Sequence, residues 1–213
     1  MAPVDLRLSR RYPLAIWQPS PNFSAGRPDG APEFLVVHVT DGQPDARRSA
    51  DRFCDPKTDA APHFLVGRRS REVYQHVELR DRAWHAKGWN SNSIGIEHVA
   101  RTPGELDRQW IGLSQEKRRA LLPEGVPLDL ESDRDPGFPP TEEQLRTSAE
   151  LAAWLCDLLG WEVSRERLRG HCECPGTTHR DCGRDVSDGG IWPWERYLEM
   201  VRDELNALRA GRR

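Results

Sequence analysis

The hydrophobic positions of this chain fall into short apolar runs near its beginning and two long amphipathic stretches near its end. Phe34–Val39 is an unbroken apolar run around one histidine, bounded by Pro32 and by Asp41 and Gly42, and it reads as a buried central strand. Alternation puts Leu35, Val37 and Val39 on one face and Phe34, Val36 and His38 on the other. Residues 45–53 suggest a short helix with Ala46, Ala50 and Phe53 on one side. The runs at 63–67 and 72–77 flank an Arg/Ser turn and suggest a hairpin. In 93–99, Ile94, Ile96 and His98 share one face and Gly95 and Glu97 the other.

From Thr141 the period changes to that of a helix. Thr141 and Gln144 have the spacing of a capping box, and Leu145, Ala149, Ala152, Leu155, Cys156 and Leu159 keep one face until Gly160 stops the run. A last helix is expected over 194–209, with Tyr197, Leu198, Val201, Leu205 and Leu208 inward. Residues 1–33 lack a period and read as an irregular arm. Residues 101–140 read as a long polar insertion with at most a short helix at 115–122, the kind of segment that often carries function. The expectation is an α/β fold with a mixed central β-sheet flanked by helices, in one domain over 34–213 after the arm.

Length and charge narrow the function classes. The 213 residues are enough for one sizeable core, and no stretch looks like a linker between two. With 31 basic and 34 acidic residues the net charge is -3, which gives no electrostatic case for nucleic acid or an anionic membrane as partner. No apolar run is long enough to span a bilayer, and the first residues lack the hydrophobic block of a secretory signal. The expectation is cytoplasmic synthesis without a Sec route, and a monomer. Five irregularly spaced cysteines, Cys54, Cys156, Cys172, Cys174 and Cys182, argue against a disulfide framework.

The chemistry lies in His38, Glu97, His171, His179 and Asp181. Two imidazoles and a carboxylate are good zinc donors, and three protein ligands leave one position for a water. His38, His171 and Asp181 are therefore the candidate ligands. Glu97 is the candidate general base. His179, on the same side of an extended segment as Asp181, is a candidate for stabilising an oxyanion. Cys172, Cys174 and Cys182 beside His171 leave a structural zinc knot as a second reading, although a Cys-x-Cys pair is not the usual spacing of a zinc ribbon.

These residues, in this order, resemble the zinc-dependent N-acetylmuramoyl-L-alanine amidases, a family that includes phage lysozyme-amidases, wall-recycling amidases and peptidoglycan-recognition proteins. The resemblance runs from about Pro19 to the last helix. Val36–Thr40 is similar to the first-ligand strand, Ala61–Val66 to the second strand, Ala83–Ala86 to a substrate-groove turn, Asn92–Glu97 to the catalytic-glutamate strand, and Gly170–His171 with His179–Asp181 to the remaining ligands. The resemblance implies hydrolysis of the amide between N-acetylmuramic acid and L-alanine in peptidoglycan or muropeptides, with a Zn2+ cofactor. It also implies that His63, Trp84, His85 and Asn92 contact substrate. The departures are Val39 after the first ligand, Pro62 before His63, His179 where many members have lysine, and Cys182 after the third ligand, where it competes with Asp181. A binding receptor of the same fold is the alternative. A phage endolysin released by holin, a recycling amidase and an effector exported by a non-Sec route all fit.

Overall fold

The computed structural model describes residues 6–129, 132–177, 185–188 and 190–211. In chain order the strands are β1 (Ile16–Trp17), β2 (Phe23–Ser24), β3 (Phe34–Val39), β4 (Phe64–Val66), β5 (Val73–Gln75), β6 (Arg82–Ala83), β7 (Ser93–His98) and β8 (Leu168–Gly170). The helices are α1 (Ala46–Phe53), α2 (Asp107–Trp110), α3 (Gln115–Ala120), α4 (Glu142–Leu159) and α5 (Trp194–Ala210). Six strands form one sheet in the order β1-β5-β4-β7-β3-β8, and β2 pairs with β6 apart from it. Only the β4–β5 hairpin is antiparallel within the large sheet, so the sheet is mixed, as expected.

β3 lies between two parallel neighbours and all six of its residues are buried, which explains its unbroken apolar run. Leu35, Val37 and Val39 join Ile94, Ile96, Phe64 and Val66 in the main core, under the paired helices α4 and α5. The opposite face carries Leu65 and Tyr74, which pack with Ala46 and Ala50 of α1 and with Trp110, Leu122 and Phe138 of the 101–140 segment.

The expected ends of α4 are nearly met, with Thr141 accepting from the Gln144 amide and Gly160 closing the helix in the left-handed region at φ 71°. The Gln144 side chain does something other than complete a capping box. Its amide donates to the carbonyls of Val66 and Val99 at 2.9 and 3.3 Å, tying the helix start to the ends of two strands. No helix among the described residues is long and apolar enough to cross a membrane.

Residues 6–33 are less irregular than their sequence suggests. β1 adds to the sheet edge beside β5, and Leu8 and Tyr12 enter the main core. Arg27 donates to the carbonyls of Leu79, Ser91 and Ser93. Strands of two residues show no alternation, so periodicity alone does not reveal them.

A buried polar chain joins the two layers beneath β3. His98 donates from Nδ1 to the His38 carbonyl at 2.9 Å, and its Nε2 accepts from the Ser148 hydroxyl at 2.7 Å. Ser148 in turn lies 2.7 Å from the Tyr197 hydroxyl. Burial lowers the His98 pKa from 6.5 to about 3. A neutral His98 therefore contributes fully above pH 6.5, and its contribution is lost as pH falls from there toward 3. Urea unfolding should show His98 alone removing about 2 kcal/mol between pH 7 and pH 5. An imidazole titration followed by NMR should find it neutral throughout that range, and a His98 that titrates near 6.5 would contradict the assignment.

Candidate functional site

The site is assembled by strand register. β3 and β7 pair in parallel with His38 opposite Glu97, on the face away from Ile94 and Ile96. His38 Nδ1 stands 4.0 Å from Glu97 Oε1. On the other side of β3, Val37 pairs with Gly170, so the chain leaves β8 with the next residue, His171, beside His38. The ring centroids of His38 and His171 are 4.4 Å apart. His171 begins a single 3-10 turn, which is fastened where Glu173 accepts from the Gly170 amide at 2.6 Å and pairs with Arg165 at 2.5 Å. His38, Glu97, His171 and His85 all line one open cavity of about 1120 Å³.

His85 comes from the turn between β6 and β7. The Asn90 side chain shapes that turn by accepting from the amides of His85 and Ala86 at 3.1 and 2.7 Å. The His85 ring rests on Gly95, where a Cβ would stand 2.5 Å from its Cγ and Nδ1. The space beside Glu97 that this glycine suggests is therefore filled by an imidazole. His85 Nδ1 is 3.0 Å from His38 Nε2, and His85 Nε2 is 3.1 Å from Ser93 Oγ. Burial, with His38, His63 and His171 close by, holds its pKa well below the ordinary value.

Of the four residues expected to meet substrate, His85 alone lines this cavity. His63 is fully buried beneath it, accepting from the Gly95 amide and lying 3.1 Å from the Asp81 carbonyl and 2.9 Å from Arg27. Burial, with the Arg27 charge adding to it, drives the His63 pKa well down. Trp84 donates its indole N–H to Ser24 at 2.9 Å. Asn92 precedes β7 and is five residues, roughly 16 Å of strand, from Glu97. His179, Asp181 and Cys182 lie outside the described residues. Among the described residues no group of three or more His, Cys, Asp or Glu side chains forms a metal cluster, so His38 and His171 are the two candidate donors placed together there. Cys174 is turned elsewhere, its thiol 3.3 Å from the Lys87 carbonyl, which takes it out of a knot around His171.

The 101–140 segment forms one wall of the cavity through Gly104–Gln109, facing Arg48 and Arg52 on α1. A fully buried ion pair, Arg101–Asp135 at 2.8 Å, anchors that wall. Arg101 also donates to the carbonyls of Gly42 and Leu121, and Asp135 accepts from the amides of Leu106 and Gly137. Such a pair carries no periodic signal, so the sequence shows polar residues where the structure has a second core.

A sequence model for a family described as N-acetylmuramoyl-L-alanine amidase matches residues 28–184. N-acetylmuramoyl-L-alanine amidase A of Achromobacter lyticus is 29% identical over 189 residues, covering 88% of this chain and 93% of that protein. Among solved structures, AmpD superposes with a TM-score of 0.53 at 21% identity, over 90% of this chain and 96% of that one. The E. coli amidase AmiD, solved with anhydro-N-acetylmuramic acid-L-Ala-D-gamma-Glu-L-Lys, superposes with a TM-score of 0.52 at 18% identity, over 81% of this chain and 59% of that one. At these identities the structures share the fold.

Removing one partner of a buried pair leaves the other charge without compensation. Asp135→Ala is therefore expected to cost about 3–5 kcal/mol in urea unfolding and to open the 101–140 segment to limited proteolysis before the rest of the chain. A loss under about 1 kcal/mol would show that the pair does not hold the wall.

Proposed function

The chain belongs to the N-acetylmuramoyl-L-alanine amidase family, and on that premise we propose that it cleaves the amide between the lactyl group of N-acetylmuramic acid and the L-alanine of the stem peptide, with zinc as cofactor. The observation that carries this reading is the register of β3 and β7, which sets His38 opposite Glu97 at a cavity that His171 also lines. The donor chemistry fits zinc: two imidazoles stand side by side, and Asp181 follows ten residues after His171 in the sequence. His38, His171 and Asp181 would hold the ion. When bound, it supplies Lewis acidity toward a carbonyl oxygen and lowers the pKa of a water.

The chain's own residues do the rest. Glu97 accepts the proton of the attacking water and returns it to the alanine nitrogen as the amide breaks. His179 is assigned to the developing charge on the carbonyl oxygen. His85 bounds the cavity on the side of Gly95. Arg48, Arg52 and Arg108 put three exposed cations along the same cavity, suited to the carboxylates of a stem peptide. The substrate class is peptidoglycan or muropeptide, a reading supported by the shared fold of AmiD, which was solved with such a fragment.

Intact sacculi and soluble muropeptides, digested in parallel and analysed by mass, test this. The expected products are a free lactyl carboxylate on the saccharide and peptides that begin with alanine. The stronger of the two activities identifies the preferred substrate. Chelation should abolish cleavage, and zinc should restore it. Glu97→Gln should retain zinc and lose on the order of 10²–10⁴ in turnover. Muropeptide binding without cleavage by the zinc-loaded protein would favour a receptor instead. Near-normal turnover by Glu97→Gln would move the base elsewhere, to His179 first.

A further inference from the structure

The Trp89 carbonyl and the Ser93 hydroxyl beside His85 fix proton positions along a run of hydrogen bonds that leads to His38. Ser93 Oγ is 2.5 Å from the Trp89 carbonyl, which can only accept, so the single hydroxyl proton of Ser93 is spent there. The contact of 3.1 Å between Ser93 Oγ and His85 Nε2 must then have the imidazole as donor. A neutral His85 with its proton on Nε2 has a lone pair on Nδ1. That lone pair faces His38 Nε2 at 3.0 Å, so His38 donates and carries its own proton on Nε2. The other ring nitrogen of His38, Nδ1, is the one directed toward Glu97 and the cavity.

We propose that His85, oriented by Ser93 and seated on Gly95, is a positioning residue that fixes the tautomer of His38 and so presents the Nδ1 lone pair to the cation. The Trp89 carbonyl sets the Ser93 hydroxyl, the hydroxyl sets His85, and His85 sets His38. The seat is specific to glycine, since a Cβ at position 95 would stand 2.5 Å from the His85 ring. Ser93 and Gly95 are alternate residues of β7 on the face that carries Glu97, so one strand supplies the proposed base, the seat and the start of the relay. A ligand imidazole whose distal N–H is held needs no rearrangement to bind a metal, and outer partners of this kind set metal affinity. The metal half of this inference rests on the zinc reading above, whereas the tautomer half does not.

The tautomers can be read directly in metal-free protein by long-range 1H–15N correlation of the imidazole nitrogens. The expected spectrum has His38 and His85 both protonated on Nε2, and a His38 protonated on Nδ1 would overturn the proposal. Zinc affinity by chelator competition is the second readout and needs no turnover. His85→Phe keeps an aromatic ring but loses the acceptor, and should bind zinc about 10–100-fold more weakly than wild type. His85→Asn, with an amide oxygen near the former Nδ1, should recover part of that loss. Equal zinc affinity in wild type and His85→Phe would also overturn the proposal. Should His85→Phe fail to fold, Ser93→Ala provides the same test from the far end: His38 should then populate both tautomers and bind zinc more weakly, and an unchanged spectrum with unchanged affinity would refute the relay. Wild-type protein that binds no zinc would defeat the amidase reading, and the tautomer of metal-free His38 would still decide the relay.

Discussion

The parallel, in-register pairing of β3 with β7 is the constraint on which the rest of this site depends. It sets His38 opposite Glu97 and, through the same strand, positions Gly170 so that His171 emerges beside His38. A slip of one residue would turn Glu97 into the core against α4 and bring Ile96 to the cavity, because side chains alternate with a period of two. What prevents the slip is the full burial of the other face. Leu35, Val37, Val39, Ile94 and Ile96 all belong to the core under α4 and α5, and a one-residue slip of β7 would put the Glu97 carboxylate among them.

The sheet carries histidines on both faces, and side-chain hydroxyls help to hold two of them. Ser148 and Tyr197 serve His98 on the helix side, and Ser93 serves His85 on the cavity side. The first chain ends on the His38 carbonyl and the second on the His38 ring, so both the backbone and the imidazole of one residue are held from opposite layers. The cavity wall is held in a different way, by the buried Arg101–Asp135 pair, whose remaining bonds go to backbone groups of Gly42, Leu106, Leu121 and Gly137.

The parts of the fold legible in the sequence are those with a sustained period or a cap. The alternation in β3 and β7 places His38 and Glu97 on one face, and Thr141 and Gly160 mark the ends of α4. The parts that escape are built from contacts without a period. β1 and β2 are too short to alternate, so the arm reads as irregular although Leu8 and Tyr12 are core. Gln144 fits a capping box by spacing yet spends its side chain on Val66 and Val99. His63 reads as a groove residue, but its ring is enclosed beneath Gly95. Gly95 reads as room for Glu97, but the room belongs to His85, which lies ten residues earlier in the turn before β7 and so is invisible to any pattern within the strand.

The central claim is that β3, β7 and β8 bring His38 and His171 to one ion and leave Glu97 beside it as a base. Anomalous diffraction at the zinc edge, from crystals of the zinc-loaded protein, tests this most directly. The account predicts one strong peak within bonding distance of both His38 and His171, with the Glu97 carboxylate close to it but not bonded. A peak bonded to Cys172 or Cys174 instead, or none near His38, would contradict it.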